Sequence, residues 1–259
     1  MRLHRFFTPE PIGNRSELTI ESRELVDQLR RVFRLKAGDE IVLFDGSGSD
    51  YKGAIARFDG ADRVVLEHLT PSPSRYMPIR QVSLYTAVVK KDNFETIVEK
   101  ATELGVTDIV PVLADRSEKK SLNMERLRKI AVEASEQSGR GNVPNIWPIE
   151  KLAAIVGRLS SHEHFTLEKS HFTKVKFEPA GGEPFLALAF HTEGELLARS
   201  HLGISRCNLA VFIGPEGGWS PDELALFHKA GISVYCLGPQ VLRAETAAIA
   251  ALTMAVFGS

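Results

Sequence analysis

Two short loops near the C-terminus hold the residue types best suited to chemistry. The first is Gly214-Pro215-Glu216-Gly217-Gly218-Trp219-Ser220, and the second is Gly238-Pro239-Gln240-Val241-Leu242-Arg243-Ala244-Glu245-Thr246. Each follows an apolar run that reads as a strand, and each leads into a helix. The glycines at 214, 217 and 218 let backbone amides approach a ligand closely. Ser220 before Pro221 also fits a helix N-cap with proline at the first helical position. A plain strand-to-helix turn is therefore the competing reading; the extra glycines and Glu216 favour a ligand loop. The second loop is apolar at Val241-Leu242, where loops are ordinarily polar. Such residues pack on a flat apolar ligand, on a partner chain or on a local core. Arg243, Glu245 and Thr246 then surround the start of an Ala-rich helix. Residues 247–257 of that helix carry no charge, so it must be buried on nearly all sides. A second copy of the chain is one way to bury it.

The elements that position these loops alternate. Strands are expected at 82–89, 109–113, 185–190, 209–213 and 233–237, with helices at 93–104, 122–137 and about 152–159. Alternation of this kind predicts a parallel α/β sheet. Ligands of such sheets sit beyond the carboxyl ends of the strands, where both loops fall. Residues 1–70 differ. They hold one helix at 21–33, with Leu25, Leu29, Val32 and Phe33 on one face, and strands at 40–44, 51–58 and 63–66 joined by Asp-Gly turns. That pattern suggests a small barrel. Pro71, Pro73 and Pro78 make 71–78 the expected linker.

Composition excludes several classes. Among 259 residues, 43% are hydrophobic and 25% charged, as in globular proteins. No apolar run approaches the ~18 residues of a membrane span, and the N-terminus lacks an apolar signal core. The expectation is a cytoplasmic protein without membrane contact, with Cys207 and Cys236 reduced. A net charge of −1 gives no general argument for nucleic acid. Only local clustering does: Arg2, Arg5, Arg30, Arg31, Arg34 and Lys36 would share one face if the N-terminal strand lay beside the helix end. A solvated helix surface explains that cluster as well. Neither a dinucleotide fingerprint at the first strand of the α/β part nor a P-loop is present. His162, His164 and His171 match no ligand spacing, so no metal is expected.

Taken in order, several stretches resemble the RsmE-type methyltransferases of the SPOUT superfamily, which methylate N3 of a uridine in small-subunit ribosomal RNA. They are His4-Arg5-Phe6-Phe7, residues 29–39, Phe44-Asp45-Gly46, residues 100–106 (KATELGV), residues 133–140 (EASEQSGR), the first glycine loop and the run 237–247. The resemblance spans nearly the whole chain. It implies a PUA-like RNA-binding β-barrel over 1–72, then a SPOUT-type α/β methyltransferase domain over 73–259 with a C-terminal trefoil knot. It also implies S-adenosylmethionine as methyl donor, 16S rRNA as substrate and a homodimer. By position, the cofactor would meet Leu188, His191, Gly214, Pro215, Glu216, Gly217, Gly218, Leu237, Gly238, Val241, Leu242, Thr246 and Ala247. Arg243 would stabilise negative charge on the uracil carbonyls, and Glu245 would either accept the N3 proton or orient Arg243. RNA would meet Arg2, His4, Arg5, Phe6, Arg30, Arg31, Arg34 and Lys36. The chain departs from the family pattern at Lys90-Lys91-Asp92, usually lysine-glycine-aspartate, and at Gln240, where a basic residue is frequent.

Overall fold

The computed structural model describes residues 3–77, 80–160, 185–197 and 208–257. Arg2, Cys207 and the three histidines His162, His164 and His171 lie outside the described residues. The chain divides into two units, Met1–Met77 with Val132–Val143, and Pro78–Ala131 with Pro144–Ser259.

The first unit contains β1 (Arg5–Phe7), β2 (Leu18–Glu21), α1 (Arg23–Asp27), β3 (Glu40–Phe44), β4 (Ser49–Asp59) and β5 (Arg63–Pro73). Among the described residues the strands form one sheet in the order β1-β3-β4-β5-β2. β1 runs parallel to β3, and the other pairs are antiparallel. Phe6, Leu29, Ile41, Leu43, Ile55 and Leu66 close the core without exposed surface.

Two expectations are corrected here. The helix expected over 21–33 is short: Ser22 caps it by accepting the Leu25 N–H at 3.2 Å. The chain then widens into a π-helical turn, Gln28–Val32, with the Phe33 N–H reaching the Gln28 carbonyl at 3.0 Å. The wider turn rotates the residues that follow it, so Val32 is 70% exposed while Leu29 stays buried. The linker expected over 71–78 is in part strand: Pro71 pairs with Tyr51, and Pro73 with Ser49. The Leu69 N–H points away from β4, to the Ser16 carbonyl at 3.0 Å. Alternate residues share that direction, so the nitrogens of Pro71 and Pro73 face an edge that β2 does not reach, and no ladder bond is lost.

Val132–Val143 completes this unit. The Glu136 carboxylate accepts the Phe7 N–H at 2.9 Å and the Gln28 side-chain amide at 3.1 Å. Burial pushes its pKa above the ordinary 4.5, and these two bonds offset the rise only in part.

The second unit contains β6 (Val82–Ala87), α2 (Lys91–Glu103), β7 (Asp108–Leu113), the first part of α3 (Met124–Ser138), β8 (Asn145–Ile146), β9 (Glu150–Lys151), α4 (Leu152–Ser160), β10 (Phe185–Leu196), β11 (Asn208–Ile213), α5 (Pro221–Lys229), β12 (Ser233–Cys236) and α6 (Ala244–Phe257). The strands are parallel, in the order β12-β10-β11-β6-β7-β8, with β9 also on β7. All residues of β11 are buried. After Asn208 the strand is apolar without a break, as suits a strand covered on both faces. α2 turns Phe94, Ile97, Val98 and Ala101 inward at helical spacing and stops at Gly105, whose φ is +93°. After edge strand β12 the chain returns toward the middle of the sheet, where α6 packs on α2, β11 and β6. It does so through Ala244, Ala248, Ala251, Leu252 and Ala255. The opposite face of α6 stays partly open in the single chain. No helix among the described residues is long and apolar enough to cross a membrane.

The register sets the strand exits in a row. Phe190 of β10 stands opposite both Ile213 of β11 and Tyr235 of β12. Ile213 stands opposite Thr86 of β6, and Thr86 opposite Pro111 of β7.

Glu136→Ala leaves a backbone N–H without its acceptor and should cost about 1–3 kcal/mol in urea denaturation. The carboxyl's folded pKa lies above its unfolded value. Its contribution is therefore full at acid pH and is lost as pH rises through the raised pKa. Glu136→Gln should flatten that slope in a pH series of urea midpoints.

Candidate active site

The first glycine loop is anchored at its base by Trp219, which is 1% exposed. The indole N–H donates to the Phe190 carbonyl at the exit of β10, at 3.1 Å. Its ring stands edge-on to Phe227 at 5.1 Å, which in turn meets Phe212 at 5.2 Å. The Gly218 N–H donates to the Pro215 carbonyl at 2.8 Å, closing a tight turn. Ser220 and Glu223 form a capping box at the start of α5: the Ser220 hydroxyl accepts the Glu223 N–H at 3.2 Å, and the Glu223 carboxylate accepts the Ser220 N–H at 2.8 Å.

The glycines make room for the protein's own side chains. A Cβ on Gly214 would lie 3.2 Å from the Trp219 indole, and one on Gly218 would lie 3.1 Å from Nε2 of His191. Gly218 also has a φ of +69°, which side-chain-bearing residues rarely adopt. A Cβ on Gly217 would meet Cδ of Arg116 at 3.3 Å. Glu216 and Gly217 form the exposed tip of the loop. His191 opens an irregular stretch of β10, where Phe190 and Glu195 both face Tyr235. Its Nδ1 accepts the Glu193 N–H at 3.2 Å. The neutral ring therefore carries its proton on Nε2, beside Gly218.

Two residues that the sequence reading did not single out reach this loop from the exit of β7. Arg116 Nη1 donates to the Gly217 carbonyl at 2.7 Å and to the Trp219 carbonyl at 3.5 Å. The Asp115 carboxylate accepts the Ser220 hydroxyl at 2.6 Å, and its N–H donates to the Glu223 carboxylate at 3.0 Å. Their signal was position: polar residues directly after a parallel strand, at its carboxyl end.

The second loop follows β12. Leu237 and Gly238 are half-buried, whereas Val241 is 79% and Leu242 37% exposed. α6 begins at Ala244, with the Arg243 carbonyl accepting the Ala247 N–H at 2.8 Å. Thr246 is exposed and Ala247 half-buried in its first turns. The Arg243 side chain forms no ion pair with Glu245. One Glu245 carboxylate oxygen, Oε2, is buried and has no hydrogen-bond donor among the described residues. Leu188 lies inside the sheet opposite Val211, two residues short of the strand exit, and is 1% exposed. No group of three or more His, Cys, Asp or Glu side chains among the described residues could hold a metal ion.

In the first unit the basic residues divide. Arg30, Arg31, Arg34 and Lys36 are exposed around the π-helical turn, and Arg34 has a φ of +56°. Arg30 lies over the Phe58 ring at 5.3 Å, and Arg31 pairs with Asp27 at 3.2 Å. His4 is exposed and packs on Phe33, with ring centroids 4.4 Å apart. Strand alternation sends Arg5 to the other side. There it binds Asp50 at 2.6 Å and the Arg140 carbonyl at 3.2 Å, so it does not join the expected basic face. Phe6 is fully buried edge-on to Phe33 and has no surface free to stack on a base.

Residues 75–256 match the family model described as an RNA methyltransferase domain, and residues 29–66 match that of an RNA methyltransferase PUA domain. The chain belongs to this RNA methyltransferase family. It is 32% identical to the ribosomal RNA small subunit methyltransferase E of Synechocystis sp., over 86% of this chain and 68% of that protein. Its identity to the protein of the same name from Rickettsia conorii is 28%, over 97% and 94%. Among solved structures it resembles a Legionella pneumophila methyltransferase in complex with bound cofactor SAM. There the TM-score is 0.80 at 26% identity, over 98% of this chain and 97% of that one. In this RNA methyltransferase both glycine loops fall within the matched domain.

Gly218→Ala places a side chain in the left-handed region and presses it on His191. It should lower the urea stability by about 1–2 kcal/mol. Gly217→Ala, exposed and facing a flexible arginine stem, should stay within about 0.5 kcal/mol.

Proposed function

We propose that this RNA methyltransferase transfers a methyl group from S-adenosylmethionine to N3 of a uridine in 16S rRNA. The observation that carries the reading is the row of aligned strand exits, from which one glycine loop follows β11 and the other follows β12. The relatives' shared name and the cofactor-bound Legionella structure support it. The cofactor suits the residues present. The exposed tip at Glu216 and Gly217 offers backbone amides to polar groups, and the exposed Val241 and Leu242 offer a flat apolar surface to a purine. Gly214, Pro215, Gly218, His191, Leu237, Gly238, Thr246 and Ala247 would complete the pocket. When bound, S-adenosylmethionine supplies an electrophilic methyl on its sulfonium.

The chain's own residues must present the base and manage its proton. Uridine N3 carries a hydrogen, so it attacks only as that proton leaves, and negative charge then spreads to the carbonyls O2 and O4. Arg243 is permanently protonated and fork-shaped, which suits it to those oxygens. Glu245 takes the proton: it is not engaged in orienting Arg243, and its buried oxygen lacks a donor. The target base must turn out of its stack to reach them. In the PUA-like unit, Arg30, Arg31, Arg34 and Lys36 hold phosphates, with His4 beside them.

The same reading extends to assembly. The outer face of α6 presents Ala247, Ile249, Ala250, Met254 and Val256 half-exposed, with Phe257 63% exposed. An uncharged face of this kind suits a second copy of the chain, giving a homodimer. We read the return of the chain from β12 to α6 as part of a trefoil knot. We place the enzyme in the cytoplasm, with the ribosomal RNA it would act on.

Small ribosomal subunits lacking the modification, incubated with tritiated S-adenosylmethionine and the enzyme, should yield 3-methyluridine by nucleoside mass spectrometry. A ribose 2′-O-methyl product, or no transfer, overturns the reading. Glu245→Gln should lower kcat by about 100-fold while leaving cofactor affinity unchanged within about twofold. Loss of affinity at full kcat would remove Glu245 from the proton step.

A further inference from the structure

We propose that Asp115 and Arg116 form a clasp that sets the shape of the first glycine loop, with Arg116 as a positioning residue for cofactor binding. The proposal rests on the reading that this loop receives S-adenosylmethionine.

The loop's own residues order it only in part: the Gly218 N–H closes a turn over the tip, onto the Pro215 carbonyl at 2.8 Å. Glycines lose more conformational freedom on ordering than other residues. The base of the loop is fixed by Trp219 and its exit by the capping box of α5. The exposed tip at Gly217 has neither anchor. Arg116 supplies one. Its guanidinium donates to the Gly217 carbonyl at 2.7 Å, a charge-assisted bond. Its stem covers the open side of Gly217: Cβ and Cδ of Arg116 lie 3.4 and 3.3 Å from where a Gly217 side chain would begin.

Arg116 is itself held in place. The adjacent Asp115 accepts the Ser220 hydroxyl at 2.6 Å and donates its N–H to the Glu223 carboxylate at 3.0 Å. The Ala114 N–H donates to the Ser117 hydroxyl at 3.3 Å. The segment after β7 is thus tied to the start of α5 at one point and to the loop tip at another. The connection crosses the exit of β6, which lies between β7 and β11. That span is about 10 Å, two strand spacings. A loop ordered in advance gives up less freedom when a ligand arrives, which raises affinity without a new contact.

The test uses the full-length chain and the variants R116A, R116M and R116K. Methionine keeps the stem and removes the donors; lysine keeps one charged donor. Hydrogen–deuterium exchange of the ligand-free protein reads loop order at residues 214–220, with the core of α2 as internal control. Calorimetry reads S-adenosylmethionine affinity, and steady-state kinetics read KM for ribosomal RNA. R116A and R116M should exchange about tenfold faster at the loop and bind S-adenosylmethionine about tenfold more weakly, with R116K between them and the wild type. The KM for RNA should hold within about twofold. R116K keeps the test open if R116A fails to fold. Unchanged exchange in R116A overturns the clasp. So does weaker cofactor binding with unchanged exchange, which would make Arg116 a direct ligand contact, or a rise in RNA KM alone. If the wild type does not bind S-adenosylmethionine, the cofactor reading fails on its own, while the exchange comparison still decides whether Arg116 orders the loop.

Discussion

A buried indole decides where the first glycine loop lies. Trp219 has no exposed face to give up, and an indole N–H removed from water needs an acceptor. It finds one at Phe190, the residue where β10 is still level with both neighbouring strands. The hydrogen bond alone is worth about 1 kcal/mol. Burial of the ring against Phe227 contributes more, about 25 cal/mol for each Å² of apolar surface removed from water. Gly214 follows from this placement, because a side chain there would collide with the indole. The loop tip, the cap of α5 and the contact with Arg116 all depend on where Trp219 has settled.

Much of this architecture is legible in the sequence. The continuous apolar run of β11 and the inward spacing of Phe94, Ile97, Val98 and Ala101 announce a covered parallel sheet. That sheet type puts both loops at a ligand-binding edge. What could not be read depends on partners far away in the chain. Arg116 and Gly217 are separated by 101 positions, so no local pattern links them. The glycines read as space for a ligand, yet Gly214 and Gly218 admit Trp219 and His191, as the three-dimensional packing reveals. The strand through Pro71 and Pro73 is permitted by an edge that β2 leaves open, a fact of sheet order and not of composition. The fate of Arg5 and Phe6 was within reach: alternation in β1 puts them on opposite sides, so they could not both serve one surface.

Two carboxylates show how similar burial leads to different behaviour. Glu136 is enclosed but receives two donors, and it ties strand β1 to the segment Val132–Val143. Glu245 has one enclosed oxygen with no donor among the described residues. An acceptor left unsatisfied weakens the folded chain on its own. Glu136 is therefore a structural member and Glu245 a candidate for reaction chemistry, although both are glutamates in helices.

Helix α3 starts in one unit and ends in the other. Its C-terminal half supplies Glu136 to the sheet built by the first 77 residues. No single cut in the chain separates the two units. A gene fragment ending at the last strand of the first sheet would lack the segment that receives the Phe7 N–H and the Arg5 guanidinium. In evolutionary terms the first unit is not a cassette that one recombination event could move intact to another enzyme.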